Sequence, residues 1–233
     1  SLQKRREEVA ALIENSGKLD EKQMRQMREQ LDKAQQLSEI EDLYRPYKQK
    51  KRTRASIAKE KGLEPLAQMI WEQNCSEQQL QSKVSEYVGE GKAETAQEAL
   101  DGAGDIIAEQ ISDSAEIRSD LRKYLQKNAV ILTTKSTKEN EVYSMYYEYS
   151  ESIQKIAPHR ILAINRGEKE EALRVTLSAE PQPCFAMMER RVIRHNSPLT
   201  QRLSEICEDS YKRLIFPSLE RELRAELTEK ADA

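Results

Sequence analysis

Apolar residues recur every three or four positions through most of the chain, with charged and amide residues filling the gaps. That spacing puts them on one face of successive helices. Leu219, Leu223 and Leu227 form the plainest stripe. The pattern predicts a mainly α fold, a multi-helix array of helical hairpins. Side-chain signals then divide it. A helix over 2–14 ends at Ser16-Gly17, and Asp20 with Gln23 forms a capping box that opens a second helix to about Gln36. Ser38 with Glu41 gives another box for a short helix ending near Tyr44. Thr53 caps a helix that Gly62 ends, and Pro65 suits the first turn of a helix through Trp71. Ser76 with Gln79, Thr95 with Glu98 and Asp113 with Glu116 mark three more starts. Gly102 and Gly104 fall inside the second of these helices, where glycine weakens the helix and points to close packing against a neighbour.

Two stretches depart toward strand. AVILT (129–133) is a short apolar run, and LRVTL (173–177) alternates, so the two pair as one small β-hairpin. Pro158 opens a helix through Arg166 that Gly167 ends. Pro181-Gln-Pro183 marks a loop, and Ser197-Pro198 and Phe216-Pro217 start the last two helices. The organisation expected is a helical hairpin plus basic loop over 1–62, then a helical scaffold over 63–233 whose final helix is cut short. Both ends read as internal to a longer protein: the first residue is Ser1, and the last stripe runs to Ala233 without a Gly, Asn or Pro stop.

Composition sharpens this picture. Apolar residues are 37% and charged residues 34%, low and high respectively for a globular protein. With 7 Gly and 7 Pro, the chain reads as long helices with solvated faces, and the persistent periodicity argues against disorder. The net charge of −3 excludes a global basic field. Its distribution is uneven: residues 1–60 carry 15 Lys and Arg against 11 Asp and Glu, residues 61–157 carry 10 against 17, and residues 158–233 carry 13 against 13. A polyanion contact is therefore expected near the N-terminal end. Cys75, Cys184 and Cys207 are scattered without metal-ligand spacing, which suits a reduced, cytoplasmic setting and implies no metal. No apolar run approaches the roughly 20 residues of a membrane span, and no signal peptide opens the chain.

Signals for catalysis are thin. The two histidines, His159 and His195, stand beside arginines, and no nucleophile elbow, phosphate loop, dinucleotide loop or HExxH is present. No catalytic residue, cofactor or small-molecule substrate is expected. Glu168, Glu170 and Glu171 read as a solvated helix end. The sharp electrostatic feature is RPYKQKKRTR (45–54), where Arg45, Lys48, Lys50, Lys51, Arg52 and Arg54 give six positive charges and no acid. Such a segment can neutralise several phosphates, and the interleaved Tyr44 and Tyr47 could stack on bases. The same arginines could equally bind helix ends and carboxylates of their own protein, the acidic 61–157 stretch included. Of Tyr143, Tyr146, Tyr147 and Tyr149, three can share a helical face, read as rings packed between helices. In PHRILAINRGEKE (158–170), Ile161, Leu162 and Ile164 read as core and His159 as a hydrogen-bonded packing residue, with Arg160 a helix-end or carboxylate anchor.

EDLYRPYKQKKRTRASIAKEKGLEPLA (41–67) resembles a signature stretch of the bacterial Tex family of transcription accessory proteins. APHRILAINRGEKE (157–170) resembles a second, in which Ala157 stands where the family usually has Ser, and DSYKRLIFPSLERELRAELTEKA (209–231) a third. The resemblance implies a parent of several domains: a helical region, a YqgF-like RNase H-type domain, helix-hairpin-helix modules and an OB-fold RNA-binding domain. This chain would be most of the helical region before the YqgF-like domain. The parent would bind RNA or DNA mainly through domains outside this chain, and would meet the transcription machinery without touching membrane. The resemblance assigns no binding residue here, so segment 45–54 rests on its charge alone. Two functions remain open: a non-catalytic scaffold with an auxiliary nucleic-acid contact, or a purely structural, protein-interaction module that positions neighbouring domains.

Overall fold

Asp20, Thr53 and Ser76 each accept a hydrogen bond from the backbone N–H three residues on, and the residue there answers with its own side chain. Each cap of this kind stabilises a helix start by about 1 kcal/mol. They help to define a computed structural model of the chain that describes residues 1–49 and 51–233 and is mainly α.

Contacts gather the described residues into two compact units, Ser1–Ser119 with Met188–Ser210, and Asp120–Met187 with Tyr211–Ala233. In the first unit, α1 (Leu2–Asn15), α2 (Glu21–Lys33) and α3 (Leu37–Tyr44) close over Val9, Ile13, Met24, Leu31 and Ile40. Gly17, at φ +69°, turns the chain between α1 and α2. The expected box at Ser38 is not formed. Gln36 is the cap residue without a side-chain bond, and Glu39 instead reaches back to the Gln35 N–H at 2.9 Å. α4 (Arg54–Glu60), α5 (Glu64–Glu72) and α6 (Glu77–Val84) surround the long α7 (Ala96–Ser112). Gly102 is where α7 meets its neighbours: a Cβ there would lie 2.5 Å from Leu63 Cδ1 and 3.3 Å from Ala58 Cβ. Gly104 has ordinary room, 3.6 Å from Ile206. α8 (Ala115–Asn128) starts one residue later than expected, on Ser114, whose hydroxyl accepts from the Ile117 N–H. α11 (Thr200–Ser210) packs along α7, and the buried Ser210 hydroxyl donates to the Ala108 carbonyl at 2.7 Å.

The second unit holds the sheet. β1 (Val130–Lys135) lies between β2 (Glu148–Ser152) and β3 (Leu173–Ser178), antiparallel to both. The expected pairing of 129–133 with 173–177 is present, with Ile131 opposite Leu177 and Thr133 opposite Val175. These residues bury one face of the sheet. β2 is an addition to the single hairpin the sequence predicted. α9 (Pro158–Lys169) packs on β3 and on α12 (Phe216–Asp232).

Two expectations fail here for physical reasons. Gly167 does not end its helix but lies buried inside α9, because a Cβ would stand 2.5 Å from Leu173 Cδ1 and 3.0 Å from Tyr143 Cδ1. Glu171, at φ +62°, makes the turn instead. Pro181 does not mark a loop but opens α10 (Pro181–Val192), since its fixed φ is already helical and its missing N–H needs no partner in a first turn. Phe216-Pro217 starts the final helix, α12, as expected. A π-helical turn, Tyr211–Ile215, carries the chain from α11 into α12.

Candidate nucleic-acid interface

The described residues of the basic segment are held at both ends within the first unit. Arg45-Pro46-Tyr47 forms a 3-10 turn closed by the Lys48 N–H on the Arg45 carbonyl at 3.3 Å. At the far end Thr53 and Ser56 cap α4 reciprocally, at 3.0 and 2.7 Å, and the Thr53 hydroxyl donates to Glu109 at 2.9 Å. Ahead of the turn, buried Asp42 accepts from Arg118 Nε at 3.3 Å and ties α3 to α8.

Between these anchors Lys48, Lys51 and Arg52 are exposed, as is Arg54 at the start of α4. Lys50 lies outside the described residues. Arg52 reaches Glu60 at 3.8 Å with both side chains largely in water, a pairing worth little. Arg45 is half-buried and already engaged within the protein. The structure therefore leaves four of the six candidate cations exposed, three ahead of α4 and Arg54 on its first residue, and draws Arg45 inward. The tyrosines are not available in the way the sequence suggested. Tyr44 and Tyr47 are half-buried against the α1–α3 cluster, the Tyr44 ring lies 5.7 Å from the Arg5 guanidinium, and burial pushes the Tyr47 phenol pKa up.

The other candidates dissolve into packing or surface. Tyr143 and Tyr146 are buried on a 3-10 turn, Glu141–Tyr146, while Tyr149 sits on β2, so no helical face gathers them. Tyr146 and Tyr149 meet edge to face at 5.2 Å. The Tyr147 hydroxyl both accepts from the Asn140 N–H and donates to its carbonyl, each at 2.8 Å. Arg160 donates to the Tyr149 hydroxyl at 2.6 Å, and that hydroxyl donates to Glu151, a local network that uses all three polar ends. His159 and His195 are exposed, so His159 is not the packing residue expected. Glu168 and Glu171, at the solvated end of α9, pair with Arg224 and Lys138. Cys184 and Cys207 are buried, and burial pushes the Cys207 thiol up to about 12.

One positioning residue had no sequence signal. Gln73, buried and left-handed at φ +60°, ends α5. Its amide donates to the Val192 carbonyl at 2.8 Å and accepts from the Arg194 N–H at 3.1 Å. Nothing in the local residue types distinguishes it from the many exposed glutamines of the chain.

The fold and this turn define a mainly α protein region with a small antiparallel sheet, presenting a clamped cationic turn and no helix, among the described residues, long and apolar enough to cross a membrane. The chain belongs to the Tex family: the Tex central region-like family matches residues 76–233. It is 44% identical to uncharacterized protein YdcI of Bacillus subtilis, over all of this chain and 32% of that protein. It is 34% identical to transcriptional accessory protein Tex of Neisseria gonorrhoeae, over 99% of this chain and 31% of the other. Human S1 RNA-binding domain-containing protein 1 is 32% identical over 83% of this chain and 21% of its own length. The chain spans about a third or less of the curated relatives it matches.

Proposed function

We propose that this region is a non-catalytic helical scaffold of a transcription accessory protein that acts on nucleic acid in the cytoplasm. In this reading its cationic turn adds an auxiliary phosphate contact. The observation that carries the reading is the exposure of Lys48, Lys51 and Arg52 between ends fixed by Asp42 and Thr53, with Arg54 exposed on the first residue of α4. Fixed ends lower the ordering cost of binding, and exposed cations release counterions when they meet phosphate. The names of two relatives, a transcriptional accessory protein and an S1 RNA-binding domain-containing protein, fit such a role. Contact of this kind reads no base edges, so it positions the strand without choosing its sequence.

Four phosphate contacts to a single strand give a slope of about −3 in log affinity against log salt, or about a 50-fold loss between 50 and 200 mM. Titration of the chain with single-stranded RNA and with duplex DNA measures that slope. Reversal of Lys48, Lys51 and Arg52 to Glu removes binding at 50 mM salt if the turn is the site. Unchanged affinity in that variant refutes the site. Absence of binding by the parent chain, with Arg52→Ala lowering stability, favours the purely structural reading, for which the half-buried, engaged Arg45 already speaks.

A further inference from the structure

An open groove of about 960 Å³ runs beside α5 in the first unit, separate from the exposed cations of the basic turn. The side chains of α5 at positions 64, 68 and 71 share one helical face, so Glu64, Gln68 and Trp71 line one wall. Across from them, Ile106 and Ile117 offer an apolar floor, and Glu116 stands exposed at the rim. Trp71, the chain's single tryptophan, is half-buried. The Arg194 guanidinium lies 5.8 Å from its ring, and the Gln73 amide holds the Arg194 backbone, so this wall is set before any ligand arrives.

The charge of the groove decides what it can take. Glu64, Glu109, Asp113 and Glu116 line it against Lys59, Arg191 and the Arg194 guanidinium over Trp71, a formal excess of one negative, and the Lys59–Glu64 pair, 3.7 Å apart, is held loosely in water. Phosphate is repelled by such a rim, whereas a cationic segment is drawn to it. The floor rewards apolar side chains at helical spacing, and an open trough suits a helix better than a small molecule enclosed on all sides. We propose that this groove docks a cationic amphipathic helix of a partner protein. The apolar face of that helix lies on Trp71, Ile106 and Ile117, and its lysines or arginines meet Glu64 and Glu116. The proposal is independent of nucleic-acid binding at the basic turn.

Trp71 supplies the readout. The whole chain is titrated with a 15-residue helical peptide carrying leucines on one face and lysines on the other, and with a matched peptide carrying glutamates. The lysine peptide is expected to change Trp71 fluorescence saturably. Glu64→Lys with Glu116→Lys is expected to weaken it tenfold or more, while Glu29→Lys with Glu90→Lys, at exposed acids outside the groove, leaves it unchanged. Equal weakening by both pairs means unspecific charge attraction and overturns the site, as does equal binding of the glutamate peptide. A Trp71 response to single-stranded RNA that the groove variants abolish overturns it in favour of nucleic acid. If circular dichroism shows that the reversed pair does not fold, Glu64→Gln with Glu116→Gln replaces it, with a threefold loss expected and an unchanged affinity refuting the proposal.

Discussion

Removing the guanidinium of Arg118 should unfold the first unit far more readily than any surface change. Arg118 and Asp42 are 2% and 6% exposed at their side chains, and Arg118 also donates through Nη1 to the Ser112 carbonyl at 3.2 Å. Charges this deep are dear to bury, and their attraction offsets that cost only while both are present. Arg118→Met keeps most of the side-chain length but removes the Arg118 charge from beside the buried Asp42 carboxylate, at a cost of about 3–5 kcal/mol. That is a large share of the ~5–15 kcal/mol by which proteins of this size are stable. With a urea slope of about 2 kcal/mol per molar, the unfolding midpoint falls by about 2 M. Trp71 belongs to the same unit, so its fluorescence follows the transition directly. Asp42→Asn added to Arg118→Met removes the other charge of the buried pair and should restore at least half of the loss. A loss below about 1 kcal/mol in the single variant, or a double variant no better than the single, refutes the claim that the pair is a mutual neutralisation. The consequence reaches the interface, because Asp42 lies three residues before the basic turn. Arg118→Met should therefore weaken salt-dependent binding although Arg118 itself is out of reach of phosphate.

Gly167→Ala places a methyl group against Leu173 and Tyr143 and should destabilise the second unit by about 1–3 kcal/mol, measured by urea unfolding followed through tyrosine signals. Iodoacetamide at pH 8 should modify Cys75, which is partly exposed, while Cys184 and Cys207 react only on unfolding; mass spectrometry of the native chain checks this. The Cys207 thiol, held up at about 12, keeps its proton in the folded state while the unfolded thiol loses it near 9. Its contribution is therefore complete below pH 9 and is lost as pH rises toward 12, at about 1.4 kcal/mol per pH unit. Cys207→Ala should flatten the fall in urea midpoint between pH 9 and 11, and an equally steep fall in that variant refutes the assignment.

What could be read from the sequence was what neighbouring residues decide among themselves. The boxes at Asp20, Thr53 and Ser76 involve only residues three apart, and all three form. Gly17 and Gly62 turn the chain with positive φ as predicted, again a local matter. Gly167 looked the same from the sequence, yet the residue that decides it, Leu173, reaches it only through the packing of β3 on α9. β2 escaped notice because EYSES has no apolar alternation. Its place is fixed by ladder bonds to β1, and backbone bonds leave no mark on side-chain type. Of the candidate site, the charge was legible and the accessibility was not. Six cations in a row look alike until the fold draws Arg45 inward and seats Tyr44 and Tyr47 on the α1–α3 cluster.

That difference leaves the first unit with exposed cations on one segment and a groove lined by acids. Within ten residues the fold uses the aromatic and the innermost basic side chains to fasten the turn and leaves Lys48, Lys51, Arg52 and Arg54 to water. The acids of 61–157 are not spent on these exposed cations as the sequence allowed. Among the described pairs only Glu60 lies near one of them, at 3.8 Å, and it precedes that stretch. Glu64, Glu109, Asp113 and Glu116 line the groove instead. Had the two sets neutralised each other, neither surface would keep a field strong enough to favour a charged partner at physiological screening lengths of about 8 Å. Ionic strength should therefore weaken both proposed contacts, but only the turn's binding should follow the number of phosphates engaged.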